Sequence, residues 1–410
     1  MRMVIIGNGP AAAAAAETIR SHDTHCDITM ISRENLHFYS PCPLAEYVEH
    51  SIPRERLFLR DRSFYSGLRI RTLLGRAAEW IDTEARRVLL RGHEPVSYER
   101  LLIATGASAV LPPIPGLAGT PGAFALKTLA DAEAIMARVE PGLRAVVIGS
   151  GYIGLEAAQA LVRRGLSVTV IEAKPQVLPQ MLDEEVAFLV ERRLRDHGIE
   201  VLLNSPAEAV LPGPDGVAAV GTGGREIPCE LVICAAGVRP DLSLVAGSGI
   251  ATRTGILVDD RMQTNRKDVF AAGDIVETCD VHGAIAFLPN WPNAVHSGRV
   301  AGSNMVGVEQ RYRGSENVNV LRVFDVPVGS FGAHQGEHTV RRSARGTLKK
   351  LFLNGGRIVG GQMFGEVQST GLYHELMKKG VDVSLHEREL LSPHFGYGTL
   401  IHPQLARRAS

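Results

Sequence analysis

The chain has 410 residues, of which 44 are basic and 44 are acidic, so its formal net charge at pH 7 is zero. This balance argues against nucleic acid or an anionic membrane surface as a partner, and the length suggests two or three domains. The five cysteines include no CxxC pair, and the one CxxxxC spacing, Cys229 to Cys234, lies in a stretch predicted as a buried strand. This argues against a disulfide framework or a metal site and favours a reducing, cytoplasmic location. The most apolar window, residues 145–162, contains Glu156 and Gln159, so we expect no membrane span.

The first segment has the pattern of a strand, a glycine-rich turn, a helix and a second strand. Residues 4–6 are an apolar run and residues 27–31 have the pattern of a second strand, and the turn after the apolar run reads Gly7-x-Gly9-x-x-Ala12, with Pro10 after the second glycine. A turn of this kind at a helix start brings backbone N–H groups to the pyrophosphate of a dinucleotide. We therefore expect Gly7, Gly9, Pro10 and Ala12 to bind a first dinucleotide.

Residues 35–60 begin with turn-forming residues and become helical in pattern from about Pro43. Proline suits the first helical position, because the missing N–H has no partner there in any case. Cys42 is then expected at the cap of this helix.

Residues 98–106 are predicted as a strand that ends in a small-residue turn containing Thr105 and Gly106. The prolines at positions 112, 113 and 115 indicate a linker, where the chain leaves one domain for the next. We place the end of the first domain segment at residue 112.

Residues 144–173 repeat the first pattern more completely, with Gly149-x-Gly151-x-x-Gly154 between two strands and a helix after it. The first glycine permits the turn, the second lets backbone amides approach a pyrophosphate, and the third lets helix and strand pack closely. Glu172 lies 21 residues beyond Gly151, where a carboxylate would bind the ribose hydroxyls and repel a 2′-phosphate. The sequence therefore predicts a second dinucleotide, with NAD preferred over NADP.

The two copies differ where the acid is expected. Alignment of residues 27–32 with residues 167–172 puts Ser32 in the position of Glu172, and the next acid, Glu34, is displaced by two residues. Either the Ser32 hydroxyl or the Glu34 carboxylate could bind the first ribose. We favour Glu34, because a carboxylate makes the stronger, charge-assisted hydrogen bond.

Two later strands also end in small-residue turns. Residues 229–241 contain the first of these turns, with Gly237, and residues 269–274 end on Gly273 and Asp274. From about residue 311 the pattern changes to alternating strands followed by a helix near 371–379. This part is predicted to be a separate α+β domain.

The ordered motifs GxGxxA, LLIATGA, GSGYIGLE, AAGVRPD and VFAAGDI make the chain resemble the pyridine-nucleotide-disulfide oxidoreductase superfamily over nearly its whole length. The resemblance implies an α/β fold with two Rossmann-like, three-layer ββα domains, one inserted in the other, and a C-terminal α+β interface domain. The implied segments are 1–112 and 248–312 for FAD, 113–247 for NAD(H), and 313–410 for the interface domain, which commonly builds a homodimer.

The resemblance also implies roles for residues around the two nucleotides. Thr105 and Gly106 would lie against the flavin nucleotide, and Asp274 would bind the ribitol chain. Tyr152 would cover the nicotinamide pocket with Glu156 beside it, although Tyr152 could also simply pack and Glu156 could satisfy a neighbouring lysine or backbone group. The same resemblance adds three residues at the turns and the helix start to the cofactor-binding set: Ile153, Gly237 and Gly273.

The electron acceptor is the open question, and Cys42 bears on it. Cys42 resembles the single redox cysteine of coenzyme A-disulfide reductases and NADH oxidases or peroxidases, but here it stands in FYSPCPL instead of a pattern such as SFxxCG. The segment is more similar to NADH-dependent electron transferases, such as rubredoxin and ferredoxin reductases and the flavin portion of nitrite reductases. His402-Pro403 is similar to the His-Pro pair of disulfide reductases, and we interpret it as a structural interface turn.

Three hypotheses follow. The first, which we favour, is an FAD-dependent NADH oxidoreductase that passes electrons to an iron–sulfur protein or to other subunits of a multi-component oxidoreductase. The second is a reductase of CoA disulfide, peroxide or oxygen that uses Cys42, and the third is a redox-sensing flavoprotein. Arg341, Arg342 and Arg345 could attract an acidic iron–sulfur protein, or could form a solvated loop.

Overall fold

The structure is a computed structural model that describes residues 1–281 and 283–401. The chain divides into two compact units. The first unit comprises Met1–Val110, Lys127–Leu129 and Val238–Glu316, and the second comprises Leu111–Leu126, Ala130–Gly237 and the chain from Asn317 onward. The finer division into four segments stays a prediction.

The elements of the first 110 residues alternate between a parallel sheet and its connections. In chain order they are β1 (Arg2–Ile6), α1 (Pro10–His22), β2 (Asp27–Ser32), α2 (Leu44–Glu49), a 3₁₀ turn (Arg54–Leu57), α3 (Arg62–Gly67), β3 (Ile70–Leu74), β4 (Ala78–Asp82), β5 (Arg87–Leu90), β6 (His93–Ser97), β7 (Arg100–Ile103) and β8 (Ala107–Ala109).

The next stretch, up to residue 237, repeats this order with a new sheet. Its elements are β9 (Ala123–Ala125), α4 (Leu129–Met136), β10 (Arg144–Ile148), α5 (Tyr152–Arg163), β11 (Ser167–Ile171), α6 (Glu184–Asp196), β12 (Glu200–Leu202), β13 (Ala209–Gly213), β14 (Gly216–Thr222), β15 (Arg225–Pro228) and β16 (Leu231–Cys234).

The remaining elements return the chain to the first unit and then build the C-terminal part. Those of the first unit are β17 (Val238–Pro240), a 3₁₀ turn (Ser243–Val245), β18 (Ile256–Leu257), β19 (Val269–Ala271), β20 (Val276–Cys279), β21 (Ile285–Ala286) and α7 (Trp291–Met305). Those of the C-terminal part are β22 (Val318–Val323), β23 (Val326–Gly332), β24 (His338–Ala344), β25 (Thr347–Asn354), β26 (Arg357–Phe364), α8 (Thr370–Lys378), a 3₁₀ turn (Ser384–His386) and α9 (Tyr397–Ile401).

The two parallel sheets have the same internal order. The first is β19-β7-β1-β2-β3 and the second, read in the same direction, is β9-β16-β10-β11-β12. Each is accompanied by a three-stranded antiparallel sheet, β4-β5-β6 in the first unit and β13-β14-β15 in the second. This arrangement confirms the predicted α/β fold with two Rossmann-like, three-layer domains.

One edge strand distinguishes the two copies. In the first sheet the strand beside β7 is β19, which lies late in the chain, whereas in the second sheet the strand beside β16 is β9, which precedes the whole repeat. The second sheet therefore begins, in chain order, with its edge strand β9, whereas the first sheet is completed by its edge strand β19.

The first sheet is buried on both faces, as a parallel sheet requires. Met3 and Ile5 of β1 pack with α1 and α7, while Val4 and Ile6 pack with the β4-β5-β6 layer. Strand residues point alternately to opposite faces, so one four-residue apolar run supplies both cores.

Helices α1 and α7 lie unusually close together. The alanines at positions 11–16 of α1 are all buried, and a Cβ on Gly298 of α7 would lie 2.3 Å from the carbonyl oxygen of Ala11. A Cβ on Gly302 would lie 2.7 Å from the carbonyl oxygen of Ala15. Because both contacts are with backbone, these two glycines fix the position of the helix that follows the first glycine turn.

The C-terminal part is an antiparallel sheet of order β22-β23-β26-β25-β24, with α8 packed on it. Within the second unit it is joined to α5 by Gln159, a buried residue whose side-chain oxygen accepts the Phe324 N–H. It is joined to α6 by Lys350, whose ammonium group pairs with Asp183 and, at 3.0 Å, with Glu185. Among the helices of residues 1–281 and 283–401, none is both long and apolar enough to cross a membrane.

Candidate functional site

The first glycine turn lies between β1 and α1, where the sequence predicts it. Gly7 has φ +122°, and a Cβ there would lie 2.1 Å from the carbonyl oxygen of Ala104, so the fold itself requires glycine. The helix begins at Pro10 with Gly9 as its N-cap, and Ala12 is fully buried beneath the turn. The helix N-terminus, with its unpaired N–H groups, is therefore at the carboxyl end of β1.

The second glycine turn has the same construction between β10 and α5. Gly149 has φ +100°, and a Cβ there would lie 2.6 Å from the carbonyl oxygen of Ala235. A Cβ on Gly154 would lie 2.1 Å from the carbonyl oxygen of Gly149. The first and third glycines are thus fixed by protein packing alone.

The middle glycines are different, because the protein does not require them. Gly9 and Gly151 both have extended backbone that any residue adopts, and a Cβ on either would meet no protein atom within 4 Å. Each glycine instead leaves free space in front of a helix N-terminus. That space fits the pyrophosphate of a dinucleotide, which needs close approach to the backbone at this position.

The acid of the second copy lies directly after β11, as predicted. Glu172 is 9% exposed, and its carboxylate oxygen Oε2 accepts the N–H of Ser150 at 2.9 Å and the hydroxyl of Ser150 at 2.7 Å. The other oxygen, Oε1, accepts the N–H of Lys174 at 2.9 Å. The carboxylate is therefore held against the glycine turn.

In the first copy the two candidate ribose ligands, Ser32 and Glu34, differ in their hydrogen bonds. Ser32 ends β2 and is buried, with no side-chain hydrogen bond within the described part of the chain. The Glu34 carboxylate accepts the hydroxyl of Tyr39 at 3.1 Å, and that hydroxyl accepts the N–H of Leu129 at 3.1 Å. The choice between Ser32 and Glu34 as the ribose ligand stays a prediction.

Tyr152 begins α5 immediately after the second glycine turn. Its hydroxyl is buried and has no hydrogen-bond partner among residues 1–281 and 283–401. Burial raises the pKa of Tyr152 above its usual value, and the negative charge of nearby Glu156 adds to the effect. A buried hydroxyl normally has a partner, so this group is suited to hydrogen-bond a ligand. Ile153, beside it, is exposed.

Two small-residue turns of the first sheet lie side by side at the carboxyl ends of neighbouring parallel strands. Thr105 and Gly106 follow β7, and Gly273 and Asp274 follow β19, its parallel neighbour. Burial raises the pKa of the Asp274 carboxyl, and the positive charge of Lys127 partly opposes this. Ligands of open α/β sheets bind at the carboxyl ends of the strands. Gly237 follows β16 of the second sheet in the same way and has φ +102°.

Cys42 is exposed, and its backbone N–H donates to the hydroxyl of Ser40 at 3.2 Å. Helix α2 begins at Leu44, with Pro43 as the N-cap residue, so the prediction of Pro43 as the first helical residue and Cys42 as the cap was wrong by one position. Proline lacks the side-chain acceptor of a usual cap, and the helix that follows has only six residues.

The other predicted features are of less consequence for the site. Arg341 pairs with Glu185, and Arg342 donates to the carbonyl oxygen of Leu391 at 2.6 Å, so both arginines have partners inside the second unit. His402 and Pro403 lie outside the described residues. Within residues 1–281 and 283–401 no group of three or more His, Cys, Asp or Glu side chains is arranged to hold a metal ion.

Sequence reasoning missed the residues that orient the two carboxylates. Ser150 lies between the first two glycines of its motif, a position that the motif does not specify. Tyr39 lies in a loop with no regular pattern. Their polar side chains at turn positions were the only signal available.

Comparison with known proteins identifies the family of the chain. The sequence pattern described as "Pyridine nucleotide-disulphide oxidoreductase" matches residues 1–298. The chain is 31% identical to the "NADH-dependent phenylglyoxylate dehydrogenase subunit epsilon" of Aromatoleum evansii, covering 96% of this chain and 95% of that protein. It is 34% identical to an "NADH oxidase" of Methanocaldococcus jannaschii, covering 81% and 76% respectively.

Among solved structures, an NAD-dependent persulfide reductase from A. fulgidus superposes with a TM-score of 0.87 at 30% identity, covering 94% of this chain and 78% of that one. A reductase in complex with putidaredoxin has the same fold, with a TM-score of 0.88 at 22% identity, covering 95% and 98%. The chain is therefore an NAD(P)H-dependent flavin oxidoreductase with FAD and NAD(H) as cofactors, and it belongs to the pyridine nucleotide-disulphide oxidoreductase family.

Proposed function

We propose that the protein transfers electrons from NADH, through FAD, to an iron–sulfur or other electron-transfer protein or to partner subunits of a multi-component oxidoreductase. The observation that carries the proposal is the likeness to phenylglyoxylate dehydrogenase subunit epsilon over almost the full length of both chains. That protein is by name one subunit of a larger NADH-dependent enzyme. A chain that is similar to it over almost its whole length is suited to the same role, as a subunit that takes electrons from NADH.

The proposed cofactor sites follow from the two glycine turns. The first turn, with Gly9 at its open position, would hold the FAD pyrophosphate, and the second, with Gly151, would hold that of NADH. When bound, FAD supplies the redox chemistry, because it accepts electrons in pairs and can release them singly. The residues of this chain bind and orient the nucleotides, exclude water and present the flavin to an acceptor.

Individual residues would then have distinct tasks. Asp274 would bind a hydroxyl of the flavin's ribitol chain, and its buried position would make that hydrogen bond strong. Tyr152 and Glu156 would line the nicotinamide pocket, where the unpartnered tyrosine hydroxyl is available for a ligand. Glu172 would accept a hydrogen bond from the adenosine ribose of NADH.

The surroundings of Cys42 support a protein acceptor more than a reaction at this thiol. The residue is exposed, and the following helix has six residues and a proline cap. A reactive thiol is usually stabilised as thiolate by a longer helix, a cation or a histidine. No hydrogen bond or ion pair of the Cys42 sulfur is present within residues 1–281 and 283–401.

A second candidate function uses Cys42 directly. Its support is the exposed thiol together with the likenesses to an NADH oxidase and to a persulfide reductase. In this case Cys42 would cycle between an oxidised form, a sulfenate or mixed disulfide, and the thiolate. Two electrons from NADH through FAD would convert the oxidised form to the thiolate, which would be oxidised again by a small disulfide, peroxide or oxygen.

An anaerobic titration with NADH, followed by absorbance, tests the two candidates. If Cys42 is a bystander, one NADH per FAD removes the flavin absorbance and no long-wavelength thiolate-to-flavin band develops. Uptake of a second equivalent with such a band would contradict the proposal and favour the cysteine-based reaction.

Two variants sharpen this test. Cys42→Ser should retain full NADH oxidation with a protein acceptor or a dye, and Cys279→Ser, which changes the other exposed cysteine, is the matched control. Loss of activity in Cys42→Ser alone would overturn the proposal. Gel filtration with light scattering would show whether the C-terminal domain pairs with a second copy, which we also propose.

A further inference from the structure

Ser150, the residue between the first two glycines of the second turn, contacts the Glu172 carboxylate, which we expect to select NADH over NADPH. We propose that Ser150 is a positioning and specificity residue for NADH, which fixes the Glu172 carboxylate in the orientation that accepts a free ribose and rejects a 2′-phosphate. This inference rests on the proposed binding of the NADH ribose at Glu172.

The contact is short and buried. Ser150 is 0% exposed and Glu172 is 9% exposed. The Ser150 hydroxyl donates to Oε2 of Glu172 at 2.7 Å, and the backbone N–H of Ser150 donates to the same oxygen at 2.9 Å. A hydrogen bond from a neutral hydroxyl to a carboxylate is stronger than one between neutral groups, and low solvent access strengthens it further.

The second carboxylate oxygen is also held. Oε1 of Glu172 accepts the N–H of Lys174 at 2.9 Å. A carboxylate has about four acceptor positions, so three are occupied by this chain and the free one is on Oε1. A ribose hydroxyl can use that position, because it brings a proton to donate.

A 2′-phosphate would bring negative charge to the same place and no proton. The carboxylate cannot turn away from it without breaking the hydrogen bonds to Ser150. Specificity of this kind depends on a repulsive group that stays in place. The Ser150 hydroxyl therefore contributes to discrimination even though it does not need to touch the nucleotide itself.

The first copy shows that the glycine turn does not need this contact for its own stability. Asn8 occupies the position of Ser150, and its side chain donates to the carbonyl oxygen of Leu36 at 3.1 Å and accepts the hydroxyl of Tyr65 at 2.9 Å. In both copies the first glycine has a positive φ and the second has extended backbone. The residue between the glycines contacts the acid after the second strand in the second copy, whereas Asn8 contacts Leu36 and Tyr65 instead.

The test is a comparison of NADH with NADPH in the flavin-loaded enzyme, using stopped-flow reduction of the flavin under anaerobic conditions. For Ser150→Ala we expect the Kd of NADH to rise by about five- to thirtyfold while the limiting rate of reduction stays within about twofold. The preference for NADH over NADPH should fall by about fivefold or more. Ser150→Cys, nearly isosteric and a weak donor, should change in the same direction and serves if the alanine variant does not fold.

Ser205→Ala is the matched control. The Ser205 hydroxyl donates to the carbonyl oxygen of Leu203 at 2.9 Å, and only its backbone N–H contacts Glu172, at the carbonyl oxygen. This variant removes a serine hydroxyl from the same region without touching the carboxylate. The preference for NADH should stay within about twofold of the unmodified enzyme.

A double-mutant cycle with Glu172→Gln completes the test. If Ser150 acts through Glu172, Ser150→Ala should change the preference less than about twofold in the Glu172→Gln background. An equal change in both backgrounds, or equal weakening of NADH and NADPH, would overturn the inference. If Glu172→Gln alone leaves the preference unchanged, the proposed NADH site is wrong and the inference falls with it.

Discussion

Alanine substitution of two glycines in the second turn should have opposite consequences. Gly151 has φ −70° and ψ −176°, a conformation that alanine adopts freely, and its added Cβ would meet no protein atom within 4 Å. A Cβ on Gly154 would lie 2.1 Å from the carbonyl oxygen of Gly149. We therefore expect Gly151→Ala to impair NADH binding and Gly154→Ala to impair the fold.

The magnitudes follow from these contacts. Relief of the backbone contact at Gly154 requires a shift of roughly 1 Å, and overpacking of this kind costs about 1–3 kcal/mol. For a domain of this size that corresponds to about 2–4 °C in the melting temperature for each kcal/mol. Gly151→Ala should change the free energy of unfolding by no more than about 0.5 kcal/mol.

The effect of Gly151→Ala should instead be on the cofactor. Its Cβ would project into the space in front of the α5 N-terminus, where the pyrophosphate must approach the backbone. We expect the Kd of NADH to rise about ten- to hundredfold, which corresponds to about 1.4–2.8 kcal/mol. Stopped-flow reduction of the flavin measures this Kd, and thermal unfolding of the same samples measures the stability.

Either of two results would refute this reasoning. A Gly151→Ala enzyme that binds NADH normally would show that no ligand uses the open space. A Gly151→Ala enzyme destabilised as much as Gly154→Ala would show that the fold itself requires the middle glycine. The matched variant in the first copy, Gly9→Ala, should lose FAD and keep its thermal stability when FAD is supplied in excess.

Three further outcomes are expected. Tyr152→Phe removes a buried hydroxyl that has no partner in the described part of the chain, so thermal unfolding should show unchanged stability or a gain of up to about 1 kcal/mol. The Arg341 guanidinium, and secondarily Lys350, lower the pKa of Glu185 from 4.5 to about 2. That contribution is present above about pH 4.5 and is lost as pH falls toward 2. Arg341→Met should therefore lower the urea midpoint only slightly at pH 7, since the pair is partly exposed, and this effect should shrink in urea titrations below pH 4.5. Gly298→Ala should lower the melting temperature and loosen FAD, because its Cβ would meet the backbone of α1 at 2.3 Å. Gly371→Ala in α8, where a Cβ meets nothing within 4 Å, should do neither.

The fold could be predicted from the sequence because its main signals are local. A glycine that must adopt φ +100°, such as Gly149, or must admit a neighbouring carbonyl, such as Gly154, is visible in the spacing of the motif. The short apolar strands before each turn are equally local. These features fix two parallel sheets, which is why the duplicated α/β architecture was predicted correctly.

The partners of the polar side chains could not be predicted in the same way. Tyr39 and Glu34 lie in one loop, but Leu129 is 90 residues further along the chain than Tyr39, and their contact depends on how the two segments pack. The start of α2 at Leu44 instead of Pro43 is a similar case, because proline is compatible with both the cap and the first helical position. Such details depend on tertiary contacts that spacing does not encode.

Glu172 and Glu34, the acids of the two nucleotide-binding repeats, are held by different kinds of contact. Glu172 is held by Ser150 and Lys174, both within the same nucleotide-binding repeat. Glu34 is instead linked through Tyr39 to Leu129, which belongs to a short segment of the first unit, Lys127–Leu129, that is distant from Glu34 in the sequence. FAD stays bound through many turnovers, whereas NADH must enter and leave in each one. In the proposed assignment, an acid linked to a distant segment binds the resident FAD, and an acid held by its own glycine turn binds the NADH that exchanges.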